Sequence, residues 1–325
     1  MPSFVCKTIF VEFFRTISIH IHQFYLHDLS VTNPAMNLRF CFWAFILILS
    51  LSITGLSIRW LADEHVPLSQ SLVARGLVCL LLVFSWASHR RFSLFPKSIK
   101  TQVIRALVAG LALTFFSMSY KWLSASTVAV LSNIDVPVLV ILGSLIGQNS
   151  RLRAKLLSLL SIVILAIYTL SLQQQSHWAL GISVLGIGTV LLCFGYFFIK
   201  KSMTEENEAI TILTPSIAII LYGLAQMTFE PATMSSWSSL ALVGVIISGI
   251  GMFCAYYATM RLYELTDITM AEFPTLLSSL AIQPMEAVLF RESVSVSHVW
   301  LSVIFVSVTY LILRTESKQA LTGRA

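Results

Sequence analysis

Long apolar runs, interrupted by short polar or basic segments, set the pattern of this chain. No Asp, Glu, Lys or Arg occurs in residues 156–199, 209–229, 231–260 or 293–313. A charge-free apolar run of about 18 residues or more is long enough to cross a bilayer as a helix. The pattern predicts ten such helices, near 40–60, 67–88, 102–120, 124–147, 155–173, 178–199, 209–229, 238–259, 267–289 and 294–313. The connections are short and leave no room between the spans for an extramembrane domain. The expected class is an all-α integral membrane protein.

Composition agrees with that pattern. Hydrophobic residues make up 57% of the chain and charged residues 11%, against about 25% charged in an ordinary soluble domain. So few charges cannot coat a water-facing surface around so many apolar helices. The net charge is +6, but the basic residues sit between apolar blocks and form no patch, so nucleic acid is excluded as a partner. Trp43, Trp60, Trp86, Trp122, Trp178, Trp237 and Trp300 fall near the ends of the proposed helices, where amphipathic rings meet the headgroups. With a cytoplasmic N-terminus, only Arg59, Lys121 and Arg291 of the 21 Lys and Arg fall on the outside, and Arg75 lies within a span. The positive-inside rule therefore places both termini in the cytoplasm, and the membrane expected is the plasma or inner membrane of the cell.

Residues 1–37 depart from this pattern. They mix apolar residues with Lys7, Glu12, Arg15, His20, His22, His27 and Asp28, and lack a small-residue cleavage site. Two readings stand: an interfacial or disordered N-terminal extension, or an upstream stretch preceding a start at Met36. Residues 316–325 form the expected cytoplasmic tail.

The chemistry of an enzyme is missing from the sequence. The histidines lie in the N-terminal segment or near span ends, and no HExxH, GxSxG or phosphate-loop run occurs. Cys6, Cys41, Cys79, Cys193 and Cys254 show no metal or disulfide spacing. No metal, cofactor or catalytic residue is expected.

The chain repeats itself instead. VAGLALTFFSMSYKW at 108–122 resembles SGIGMFCAYYATMRL at 248–262, with Lys121 matching Arg261 at an offset of 140. SNIDVPVLV at 132–140 has a counterpart in MAEFPTLLS at 270–278, where Asp135-x-Pro137 answers to Glu272-x-Pro274. Two copies of a five-helix unit, 38–175 and 176–315, follow. An odd number of helices per copy makes the copies face opposite ways, and inverted repeats of this kind mark secondary transporters. In such proteins the ligand lies near the midplane, where Pro breaks a helix and frees backbone groups. Asp135, Asn133 and Pro137 in the first copy, and Glu272 and Pro274 in the second, are therefore the candidate pathway residues. A lone Asp at the bilayer centre costs about 2.5–3.5 kcal/mol on insertion scales, which argues for a wet cavity beside it. Arg75 is read as an anion ligand, a counter-ion of Asp135 or a snorkelling side chain. Tyr120, Tyr256 and Tyr257 are read as cavity groups or interfacial anchors, and Glu286 as a weaker pathway candidate. Ala106, Gly110 and Thr114, like Gly244 and Ser248, are spaced for close helix packing. The charge-poor interior argues against highly anionic substrates.

These features resemble the EamA-like branch of the drug/metabolite transporter (DMT) superfamily over residues 38–315. The matching segments are LVARGLVCLLL around Arg75, YKWLSASTVAVLSNIDVPVLVILGSLIG, and MEAVLFRESVSV with Glu292 at the usual acidic close. The first copy departs from the family in reading GQNSRL, with Gln148 and no carboxylate. The resemblance implies an alternating-access carrier of a small metabolite, an amino acid or related compound, generally exported. The partners this reading allows are the lipid bilayer, the small-molecule substrate, protons as coupling ion and a second copy in a homodimer.

Overall fold

The computed structural model describes residues 34–145, 151–172, 177–229, 237–266, 271–291 and 295–322. Residues 1–33, Gln148, Glu292 and the last three residues lie outside these. The described residues form helices α1 (Pro34–Asp63), α2 (Leu68–Arg90), α3 (Ile99–Ser119), α4 (Ala125–Ser132), α5 (Asp135–Leu145), α6 (Leu152–Ser171), α7 (Trp178–Glu205), α8 (Glu208–Met227), α9 (Ser239–Leu265), α10 (Phe273–Phe290) and α11 (Val296–Thr322). Nine of them are long and apolar enough to cross a membrane. The fourth expected span is instead the pair α4 and α5.

That split has a local cause. Pro137 has no N–H to offer the carbonyl of Asn133 and its ring crowds the preceding turn. The chain leaves the helix at Asn133 and Ile134, and a new helix starts at Asp135 with Pro137 in its first turn, where a missing N–H costs little. Asp135 accepts the N–H of Val136 at 2.8 Å. In the second half, Pro274 likewise stands in the first turn of α10, just after Glu272. Three helices run well past their expected ends: α7 continues to Glu205, α9 to Leu265 and α11 to Thr322.

The helices pack in a definite set of pairs. α1 lies against α9 and α10, and α7 against α3, α4 and α5. α2 lies against α8 and α9, and α3 against α8. α6 pairs with α11, and α4 with α10. α2 is clamped tightly. A Cβ on Gly76 would meet Ile220 Cγ1 at 2.6 Å, and one on Gly249 of α9 would meet the Arg75 carbonyl oxygen at 2.9 Å. Only glycine allows backbones this close. Large apolar side chains such as Leu81, Leu107, Leu170 and Leu221 point outward and are more than half exposed, as a lipid-facing surface requires.

Candidate functional site

A cavity of about 340 Å³ lies in the middle of the bundle. Its walls come from α1, α2, α3, α4, α7, α8, α9 and α10, so residues of both halves of the chain face it. That volume is at the small end of ligand pockets. Apolar groups such as Leu51, Phe116 and Met252 form much of the lining, with a limited set of polar groups among them.

Arg75 is the first of these. It lines the cavity, yet is 3% exposed. The Gly76 and Gly249 contacts hold its stretch of α2 between α8 and α9, so the side chain has a fixed base. Its Nη2 donates to Ser117 Oγ on α3. Its Nε is buried with no hydrogen-bond partner. Among the described residues Arg75 forms no salt bridge, so Ser117, and not Asp135, is its partner.

Arg105 is the second cation. It appeared in the sequence as one of the basic residues flanking the inner face, yet it is 2% exposed and lines the cavity. The reason lies in α8. Pro215 interrupts the hydrogen-bond ladder, leaving the Thr211 carbonyl without its helical donor. Arg105 Nη2 donates to that oxygen at 2.8 Å. Both Thr211 and Pro215 line the cavity. A break in one helix is thus closed by a charge from another.

Among the described residues, Glu272 is the one carboxylate in the lining. It receives the hydroxyl of Tyr263, itself a lining residue. Asn133 lines the cavity at the break between α4 and α5, with its Nδ2 donating to Ala129 O at 2.8 Å. Tyr120 lines it from the end of α3. The structure therefore brings Arg75, Tyr120, Asn133 and Glu272 to one space. Asp135 and Pro137 are buried one turn further along and are not in the lining, and neither is Pro274. Tyr257 is also outside it. Its hydroxyl accepts from Arg261 Nη2 at 3.0 Å, and its ring meets Trp43 and Trp86 edge-on, while Tyr256 faces the cavity. Among the described residues no group of three His, Cys, Asp or Glu comes together to hold a metal.

At the head of α4 a carboxylate of the second half meets the first half, and Arg59 braces the same end from within the first half. Glu286 of α10 is 4% exposed and reaches the head of α4. Arg59 of α1 donates to the carbonyls of Tyr120 and Leu123, each at 3.2 Å, and pairs with Asp63. Beyond lies a second cavity of about 480 Å³ between the α1–α2 turn and Lys121. Ile58 and Ser117 line both cavities. At the other end of α3, Glu206 accepts the N–H groups of Lys97 and Ser98, at 3.0 and 2.9 Å.

Sequence reasoning passed over Arg105, Pro215, Ser117 and Tyr263. A proline four residues after Thr211, inside a charge-free run, was the signal for the first two. Nothing in the sequence singles out Ser117 or Tyr263.

No protein-family model matches the chain, and no curated protein matches it. A solved structure described as "Crystal structure of protein" is similar, with a TM-score of 0.62 at 12% identity over 85% of this chain and 98% of that one. At that identity the likeness concerns the fold alone.

Proposed function

We propose that this protein is a secondary transporter of the EamA-like branch of the drug/metabolite transporter superfamily, moving a small metabolite across the membrane by alternating access. The observation that carries the reading is the central cavity walled by both halves, with buried charges in an otherwise apolar bundle. Such charges are costly and are retained at pathways.

The helix pairs support two inverted copies. Exchanging α1, α2, α3, α4/α5 and α6 for α7, α8, α9, α10 and α11 converts α1–α9 into α7–α3, and α2–α9 into α8–α3. It converts α1–α10 into the contacts of α7 with α4 and α5, and leaves α2–α8, α4–α10 and α6–α11 as they are. Gly76 faces the carbonyl oxygen of Ser216, and these two stand at the same offset, 140, as Lys121 and Arg261. Equivalent residues meet in this way on a two-fold axis. The halves, 38–175 and 176–315, rock about the cavity with both termini in the cytoplasm. Protons drive the cycle through Glu272 in the cavity wall and Asp135 at the head of α5. The substrate is of amino-acid size, and export is the expected direction.

Reconstitution tests this. Full-length protein in liposomes should show pH-gradient-driven uptake of at least one compound from a mixed pool of small metabolites, read by mass spectrometry. Asp135→Asn and Glu272→Gln should abolish the dependence on the gradient. Uptake that ignores both the gradient and the substitutions makes the protein an uncoupled facilitator. Absence of any uptake leaves a receptor or scaffold.

A further inference from the structure

We propose that the cavity takes a small organic anion, and that Arg75 holds its carboxylate or phosphate group. The inference rests on reading the cavity as the transport site. Among the described residues, two guanidinium groups, Arg75 and Arg105, line the cavity against a single carboxylate, Glu272. Arginine stays charged even when buried, so the space carries an excess of positive charge in surroundings that screen it weakly. The expectation that this interior is charge-poor overlooked Arg105, which faces inward.

The Nε atoms of both arginines are buried without a hydrogen-bond partner, and the two differ in what their Nη2 meets. Arg105 is engaged with the Thr211 carbonyl oxygen. Arg75 donates only to the neutral hydroxyl of Ser117. The Nε edge of a guanidinium offers two parallel donors, which match the two oxygens of a carboxylate or phosphate. A buried charge without a counter-ion is costly, and an anion entering here removes that cost. Arg75 also stands at the junction of the two cavities, because Ser117 lines both. An anion bound to it lies on the route between the central cavity and the outer one. Glu272 is engaged by the hydroxyl of Tyr263, and among the described residues it forms no salt bridge with Arg75.

The test is binding to purified full-length protein in detergent at low salt, read as a rise in Tm and a titrated Kd. The panel is lactate, succinate, glycerol phosphate, glycerol and ethanolamine. At least one of the three anions should stabilise the protein, and comparing lactate and succinate with glycerol phosphate separates carboxylate from phosphate. Arg75→Gln should weaken that anion by roughly tenfold or more, Arg75→Lys by less, and Ser117→Ala should retain binding. The exposed control Arg153→Gln should bind as the wild type does. If Arg75→Gln does not fold, the contrast between Arg75→Lys and Ser117→Ala decides. Stabilisation by glycerol or ethanolamine alone, equal binding with and without Arg75, or no response to any compound overturns the proposal. Uptake of ethanolamine into liposomes without anion binding would leave the transport reading standing and remove the anion. Anion binding without uptake of any compound would do the reverse.

Discussion

Glu286 of α10 caps Ala125 at the head of α4: its Oε1 accepts the Ala125 N–H at 2.5 Å, and its Oε2 accepts the neighbouring Ser126 N–H at 2.9 Å. Ser124 Oγ accepts from Thr127 N at 3.2 Å. A helix start leaves its first N–H groups without partners and carries partial positive charge, and here a carboxylate from the other half supplies both needs. Glu286→Ala strands one buried and one half-buried donor. The expected cost is about 1–3 kcal/mol, read as a lowered Tm in detergent, with Glu286→Gln in between. A Tm unchanged by Glu286→Ala would mean that the cap does not hold the two halves together.

The Arg105–Thr211 bond exists because Pro215 cannot donate. Arg105→Gln alone should destabilise the protein by about 1–3 kcal/mol, the cost of an unsatisfied buried carbonyl. In a Pro215→Ala background the helix supplies its own N–H, and the same substitution should cost less. A double-mutant cycle measures the difference. Strictly additive effects would show that Arg105 is not there to close the break.

Packing of α2 gives a contrast between glycines. Gly249→Ala would drive a methyl group to 2.6 Å from Val78 Cβ and 2.9 Å from the Arg75 carbonyl. Overpacking of this kind costs typically about 1–3 kcal/mol, and displacement of Arg75 should reduce uptake as well. A Cβ at Gly186 meets nothing within 4 Å. Gly186→Ala should be neutral or stabilising, by at most about 1 kcal/mol from helix propensity. Thermal unfolding of both variants checks the pair.

The proposed orientation has its own readout. In a cysteine-free background, Lys121→Cys should react with an impermeant maleimide added outside intact cells. Lys97→Cys should react only after permeabilisation. Both side chains are exposed, so burial does not confuse the result. The opposite pattern would invert the topology.

Legibility of the fold and of the site differed for physical reasons. Lipid offers the backbone no partners, so each span had to be a continuous apolar helix, and charge-free runs such as 231–260 announced themselves. The break at Asn133 was equally visible, since a proline inside such a run forces one. The cavity was not. Arg105 lies six residues beyond the first residue of α3, where a flanking cation and a cavity ligand look alike. Tyr256 and Tyr257 differ by one position, which is about 100° around a helix, and only packing decides which faces inward. Asp135 drew attention as a lone carboxylate, yet it opens α5 and stands outside the lining, while Glu272 at the head of α10 faces the space. The order and length of the apolar segments determined the all-helical build and where it breaks. Partners distant in the chain, Ser117 for Arg75, Thr211 for Arg105 and Ala125 for Glu286, were decided by the tertiary structure, because a polar group inside lipid takes whichever partner helix packing places beside it.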